Sequence, residues 1–152
     1  MNHEDPEDHD GHEADPLFKT YSMRLPSPLS AEAEQVMTRI IGCAIAVHRS
    51  LGPGFLESIY RKAMCLELTA ANLAYELEKP IFVKYRGFEI SGQRVDLIVE
   101  KVIVVELKAI SRIDDVHRAQ LISYLRTTGL RGGLLINFRV PVLQRGLRRV
   151  VV

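Results

Sequence analysis

Apolar side chains recur at helical spacing between residues 31 and 72, and from residue 74 they gather into short runs broken by charged or turn-forming residues. Ser30 can cap a helix from Ala31 to about Arg49, with Glu32 and Glu34 in the first turn where the helix dipole favours anions. Its apolar set (Val36, Met37, Ile40, Ile41, Ala44, Ile45, Val47) covers more than one face, which predicts deep burial of the second half. Leu51-Gly52-Pro53-Gly54 stops that helix, because glycine supplies the C-terminal turn and proline cannot continue the hydrogen-bond ladder. A second helix is predicted from about Phe55 to Asn72 with the stripe Ile59, Ala63, Leu66 and Ala70 facing inward.

The period then changes. Strand-favouring runs at about 81–85, 88–91, 94–99 and 102–108 are separated by Lys79-Pro80, Arg86-Gly87, Gly92 and Glu100-Lys101, and predict a meander. Asp114 caps a further helix to about Leu125, ended by Gly129. Gly132-Gly133 leads into the apolar run Leu134 to Phe138, and Leu147 to Val152 reads as a last strand carrying basic residues.

With 152 residues and 47% hydrophobic content, the chain can bury one core. Residues 1–29, rich in acids, His, Pro and Ser, are expected to form a disordered tail ahead of a single domain over 30–152. His3, His9 and His12 in that tail could bind a metal weakly or fold back as a nucleic-acid mimic; a solvated tail is the simpler reading. The net charge of +1 conceals an asymmetry, because the seven acids of residues 1–16 leave 20 basic against 12 acidic residues in the remainder, a body near +8. A basic body suits a polyanionic partner such as DNA or RNA. The apolar stretch Ile40 to Val47 is far below the roughly 20 residues of a membrane-spanning helix, and the acidic start is unlike a secretory leader. No membrane association and a cytoplasmic location are therefore expected. Two cysteines, Cys43 and Cys65, lie in apolar helical patterns and suggest neither a disulfide framework nor a zinc site.

Charges inside buried strands need a reason, since an unpaired ion loses several kcal/mol, on the order of the handicap that pairing or metal binding must offset. Asp96 interrupts Val95 to Val99, and Glu106 and Lys108 follow Val102 to Val105. Alternate strand residues share a face, so Glu106 and Lys108 point the same way. A two-residue turn at Glu100-Lys101 would turn Asp96 to the other face; an odd-length turn, such as Glu100-Lys101-Val102, or a bulge restores a common one. If they converge, Asp96 and Glu106, with the backbone carbonyl of Leu107, suit Mg²⁺, with Mn²⁺ as a substitute. Lys108 would then orient or deprotonate water and offset charge on a phosphate. An isolated D…ExK pattern is more often an ordinary ion pair on a solvated face. Two features shift that balance: His117, Gln120 and Tyr124 on one stripe of the following helix, and Glu57 with Tyr60 one turn apart at the start of the second. Gln120 and Tyr124 could contact the carboxylates and a phosphate, whereas His117 reads as a packing residue. His48 could point to the same region or simply finish the first helix.

These segments together, Leu51-Gly52-Pro53-Gly54-Phe55-Leu56-Glu57-Ser58-Ile59-Tyr60, Asp96…Glu106-Leu107-Lys108, His117-x-x-Gln120-x-x-x-Tyr124 and Gly133 to Phe138, resemble the GxxExxY family, placed in the PD-(D/E)XK nuclease-like superfamily. The resemblance covers about residue 35 to the C-terminus. It implies an α/β fold with a restriction-endonuclease-like core, a mixed central β-sheet flanked by helices. It implies Glu57 as the helical acid and a further metal ligand, Asp96 and Glu106 as the metal carboxylates, Lys108 as the active-site lysine, and Gln120 and Tyr124 as the supporting QxxxY motif of RecB-like nucleases. Val95 stands where the family motif often has Pro. The activity expected is Mg²⁺-dependent hydrolysis of DNA or RNA phosphodiesters. The competing class is a non-catalytic module that keeps the fold and binds nucleic acid, or a protein partner, through a surface including Lys84, Arg86, Arg94, Arg131, Arg139, Arg145, Arg148 and Arg149. Tyr85 and Phe138 are the candidates for stacking on bases, and a homodimer would help so small a nuclease cut two strands.

Overall fold

A computed structural model describes residues 28–152. The acidic tail and its histidines lie outside the described residues, save for Pro28 and Leu29; Leu29, assigned to the tail by its sequence, is buried in the core.

Helix α1 spans Ala31–Leu51, with the Ser30 hydroxyl accepting the Ala33 N–H at 3.1 Å and Gly52 closing the helix at φ 71°. Helix α2 spans Glu57–Ala70. Strands β1 (Tyr75–Tyr85), β2 (Phe88–Val99) and β3 (Ile103–Lys108) follow, then helix α3 (Asp115–Thr128) and strand β4 (Gly132–Asn137). A short 3₁₀ turn over Leu143–Gly146 leads into β5 (Leu147–Val151). The strands form one sheet in chain order, antiparallel except for the β3–β4 pair, which α3 connects as a crossover. This is the expected mixed sheet flanked by helices. α1 and α2 cover one face around Ile40, Tyr60, Leu107 and Phe138, and α3 covers the other around Val104, Leu121 and Leu135. Among the described residues no helix is long and apolar enough to cross a membrane.

Three local expectations are corrected. The four short strands before the last helix are three, because neither Lys79-Pro80 nor Gly92 breaks pairing. β1 is the sheet edge, where the missing proline N–H removes no ladder bond, and Pro80 sits opposite Arg94. Gly92, at φ 116°, lies where Ser91 and Gly92 stand against Phe82 alone, a bulge that shifts the register between Ile81 and Val83. The inward face of α2 is Tyr60, Met64 and Leu68, while Ile59 and Leu66 are exposed. Tyr60 decides that rotation: its ring stacks on Phe138 at 4.4 Å between centroids, and its hydroxyl donates to the Gly52 carbonyl and accepts the Phe55 N–H. The tyrosine thus ties down the loop that opens α2. Phe138 is correspondingly buried and cannot stack on a base.

Candidate active site

The turn between β2 and β3 sets the site. Leu97, Ile98 and Val99 pair with Val105, Val104 and Ile103, leaving a three-residue turn over 100–102. Asp96 therefore faces Glu106, on the α3 side of the sheet with Val104 and Lys108.

The backbone ladder ends at the Leu97–Val105 pair, and the two carboxylates continue it. Glu106 Oε1 accepts the Asp96 N–H at 3.0 Å, and Asp96 Oδ2 accepts the Leu107 N–H at 2.8 Å. Each acid satisfies a backbone donor of the other strand, which fixes both side chains and leaves the second oxygen of each outside the backbone bonds. Glu106 is only 4% exposed. Burial first, and then the neighbouring Asp96 charge, push its carboxyl up to about 8, against the opposing pull of the Asp96 N–H and Lys108.

Lys108, two residues along β3, donates from Nζ to Gln120 Oε1 at 3.2 Å, and Gln120 Nε2 donates to the Tyr124 hydroxyl at 2.8 Å. Gln120 and Tyr124 are one helical turn apart on α3. Burial, and next the charge of Glu106, push the Tyr124 phenol above its ordinary range. α3 is set against β4 by Gly133, where a Cβ would fall 2.9 Å from the Leu121 side chain.

Glu57 joins from α2 through an intermediary that sequence reading did not single out. The Arg61 guanidinium lies 3.0 Å from Glu57, 3.2 Å from Glu78 and 3.6 Å from Asp96 Oδ1, three carboxylates from three elements. Glu78 stands across from Asp96 in the β1–β2 register and adopts φ 48°, a backbone conformation that side chains beyond glycine rarely take. The Glu57–Arg61 spacing of four was a readable signal. Glu78 had none, since only the register of β1 brings it here. Beside Glu57, a cleft of about 410 Å³ is lined by Gly54, Phe55, Leu56, Ala109 and Arg139, among others.

His117 and His48 are structural. His117 Nδ1 accepts the Asp114 N–H at the start of α3, and the His48 ring bonds the Val140 carbonyl at 2.8 Å. Lys84, Arg86 and Arg94 lie on the outer part of the β1–β2 hairpin, and all three are exposed. Of the other basic residues, Arg149 pairs with Glu34, and Arg131 bonds the Val152 carbonyl.

Among the described residues no group of three His, Cys, Asp or Glu side chains is placed to hold a metal ion. The Asp96–Glu106 pair still suits a hard divalent cation. Mg²⁺ takes one or two carboxylates and keeps several waters, and Asp96 and Glu106 present two adjacent carboxyl groups held in place by reciprocal backbone bonds.

A family model described as the PD-(D/E)XK nuclease superfamily matches residues 34–150, which contain every one of these side chains. No curated protein and no solved structure matches the chain.

Proposed function

The chain belongs to the PD-(D/E)XK nuclease superfamily, and from that membership we propose that it is a divalent-metal-dependent nuclease of the GxxExxY kind, hydrolysing phosphodiesters in DNA or RNA. The observation that carries the reading is the Asp96–Glu106 pair, locked by reciprocal backbone bonds beside Lys108.

In this reading Asp96 and Glu106 hold Mg²⁺ or Mn²⁺, with the Leu107 carbonyl within reach on the same strand. The bound ion would supply Lewis-acid polarisation of the phosphodiester and a more acidic water. Lys108 stabilises charge developing on the phosphate and holds a proton-transfer position next to the attacking water. Gln120 aims Lys108, and Tyr124 fixes Gln120 from behind. Glu57 acts through Arg61, which sets the orientation of Asp96 Oδ1. A homodimer, each copy cutting one strand, fits the small size of the domain.

The competing reading is a nucleic-acid-binding module without catalysis, and Arg61 is what favours it, because a resident guanidinium already compensates Asp96. The two readings part in one experiment: cleavage of labelled DNA and RNA panels with Mg²⁺ or Mn²⁺, comparing wild type with Asp96→Asn and Lys108→Met. Metal-dependent cutting lost in both variants is the expected result. Absence of cutting by wild type, with salt-sensitive binding retained in all three proteins, would overturn the nuclease assignment in favour of the binding module.

A further inference from the structure

Resting on the reading that this chain acts on nucleic acid, we propose that the outer part of the β1–β2 hairpin is a docking arm for an unpaired strand, with Tyr85 and Phe88 as its stacking platform and Lys84, Arg86 and Arg94 as its phosphate contacts.

Every residue from 82 to 94 is exposed, so among the described residues this part of the hairpin extends beyond the packed body of the domain. A two-stranded ribbon alone in water is marginal at best and is expected to have a partner. Its side chains are sorted by face. Val83 pairs with Ile90 and Tyr85 with Phe88, and paired residues share a face, so these four form one apolar surface, each between 43% and 74% exposed. Lys84 and Glu89 pair on the opposite face, and Arg86 sits in the turn at φ 50°. Lys84, Arg86 and Arg94 make no ion pair or side-chain hydrogen bond among the described residues, and Glu89 is the single acid among residues 82–94. Exposed aromatic rings on one face, with long cationic side chains on the turn and the reverse face that form no ion pair among the described residues, are a combination suited to unpaired nucleic acid, the rings stacking on bases and the cations reaching round to the phosphates.

Two other occupants fit less well. A second copy packing on the same face would need about 800 Å² from each partner in a standard interface. With about 200 Å² for a whole aromatic side chain, the exposed parts of these four offer on the order of 400 Å². A duplex major groove admits a β-ribbon but presents hydrogen-bonding edges, which an apolar face cannot satisfy. Unpaired bases instead offer ring faces. The arm is also continuous with the site: Arg94 is two residues before Asp96 on β2, about 7 Å along the strand, and the turn lies about 30 Å away at roughly 3.3 Å per residue. A strand stacked at the tip would run down β2 past Arg94 toward Asp96.

The test is fluorescence anisotropy in EDTA, which reads binding without cleavage, using labelled oligothymidylate and the matching duplex. The arm predicts tighter binding of the single strand and at least a tenfold loss in Tyr85→Ala/Phe88→Ala, while Tyr85→Phe/Phe88→Tyr retains affinity. The chain has no tryptophan, so Phe88→Trp gives a lone reporter whose emission should be quenched as the oligonucleotide is added. Lys84→Ala/Arg86→Ala should flatten the salt dependence. Circular dichroism should show the same melting for all variants, because these side chains touch no core. Unchanged single-strand affinity in the double alanine variant, or an unquenched Trp, would overturn the arm. So would a wild-type dimer that the double alanine variant dissociates in sedimentation, which would make the face a contact between copies. Because no metal is present, failure here leaves the cleavage assay of Asp96→Asn untouched, and failure there leaves this binding result standing.

Discussion

Replacing Glu106 by glutamine removes an ionisable carboxyl from a nearly inaccessible position of the site while keeping an oxygen to accept the Asp96 N–H. Burial and Asp96 raise the Glu106 carboxyl from its usual 4.5 to about 8 in the folded chain. A carboxyl whose folded value is raised favours the folded state while protonated. Its contribution is whole below about pH 4.5 and is lost as pH climbs from there through about 8. At about 1.4 kcal/mol per unit, the unfolded chain gives up this proton while the folded carboxyl still holds it, which costs folding on the order of 3 kcal/mol at pH 7 and on the order of 5 kcal/mol above pH 8. At 4% exposure, solvent screening does little to reduce that figure.

Urea unfolding of wild type and Glu106→Gln should therefore give matching stabilities near pH 5 and a variant more stable by about 3 kcal/mol at neutral pH, the gap widening toward pH 8. Millimolar Mg²⁺ should narrow the gap by stabilising wild type alone, since a ligand that binds only the folded state adds to its stability. Profiles that track each other within about 0.5 kcal/mol from pH 5 to 9, the range of ordinary surface substitutions, would refute the idea that Glu106 is held against its own charge.

Arg61→Met should lower stability in EDTA by about 2 kcal/mol, because three carboxylates lose a charged hydrogen-bond or ion-pair partner; the same change should tighten Mn²⁺ binding several-fold in calorimetry, and weaker binding would show that the arginine shapes the carboxylates rather than competing for them. Tyr60→Phe removes two hydrogen bonds that hold the loop before α2, an expected loss of about 2 kcal/mol by denaturant titration, and an unaltered midpoint would mean that the stacked ring alone sets the loop. Gly146→Ala should destabilise by about 3 kcal/mol or more, as its Cβ would fall 2.0 Å from the Asn137 carbonyl oxygen; a soluble variant with wild-type melting would contradict that packing.

The parts of this fold governed by neighbours in sequence were legible. Ser30, Gly52 and Gly129 mark helix ends through caps and turns that act within four residues. A common face for Asp96 and Glu106 was deducible from chemistry, with an odd-length turn or a bulge as the two ways to reach it, and the chain takes the three-residue turn. What depended on the rest of the chain was not. Pro80 looked like a strand breaker until β1 proved to be an edge. The inward face of α2 was misread by one position because Tyr60, polar at its tip, counted as less apolar than Ile59, yet Phe138 and the Gly52 carbonyl give both ends of that side chain a partner. Glu78 was missed for the same reason, and with it the reach of Arg61 beyond Glu57, since the cluster exists only once α2, β1 and β2 are brought together.

The two acids of the site are at once its chemistry and its masonry. Where the β2–β3 ladder stops, a backbone N–H on each strand is taken by a carboxylate from the other, so side chains tie the strands together past the last backbone pair. Glu78, held at a positive φ directly across from Asp96, marks the same break on the outer strand, and Arg61 spans it. Alanine at Asp96 would therefore remove a negative charge and also orphan the Leu107 N–H, a loss of about 1–3 kcal/mol that has nothing to do with a metal or a phosphate. Asparagine keeps the acceptor and removes only the charge. The distinction decides how inactivity is to be read, because a dead alanine variant fits a collapsed strand junction as well as a lost ligand, whereas a folded, dead asparagine variant fits only the second.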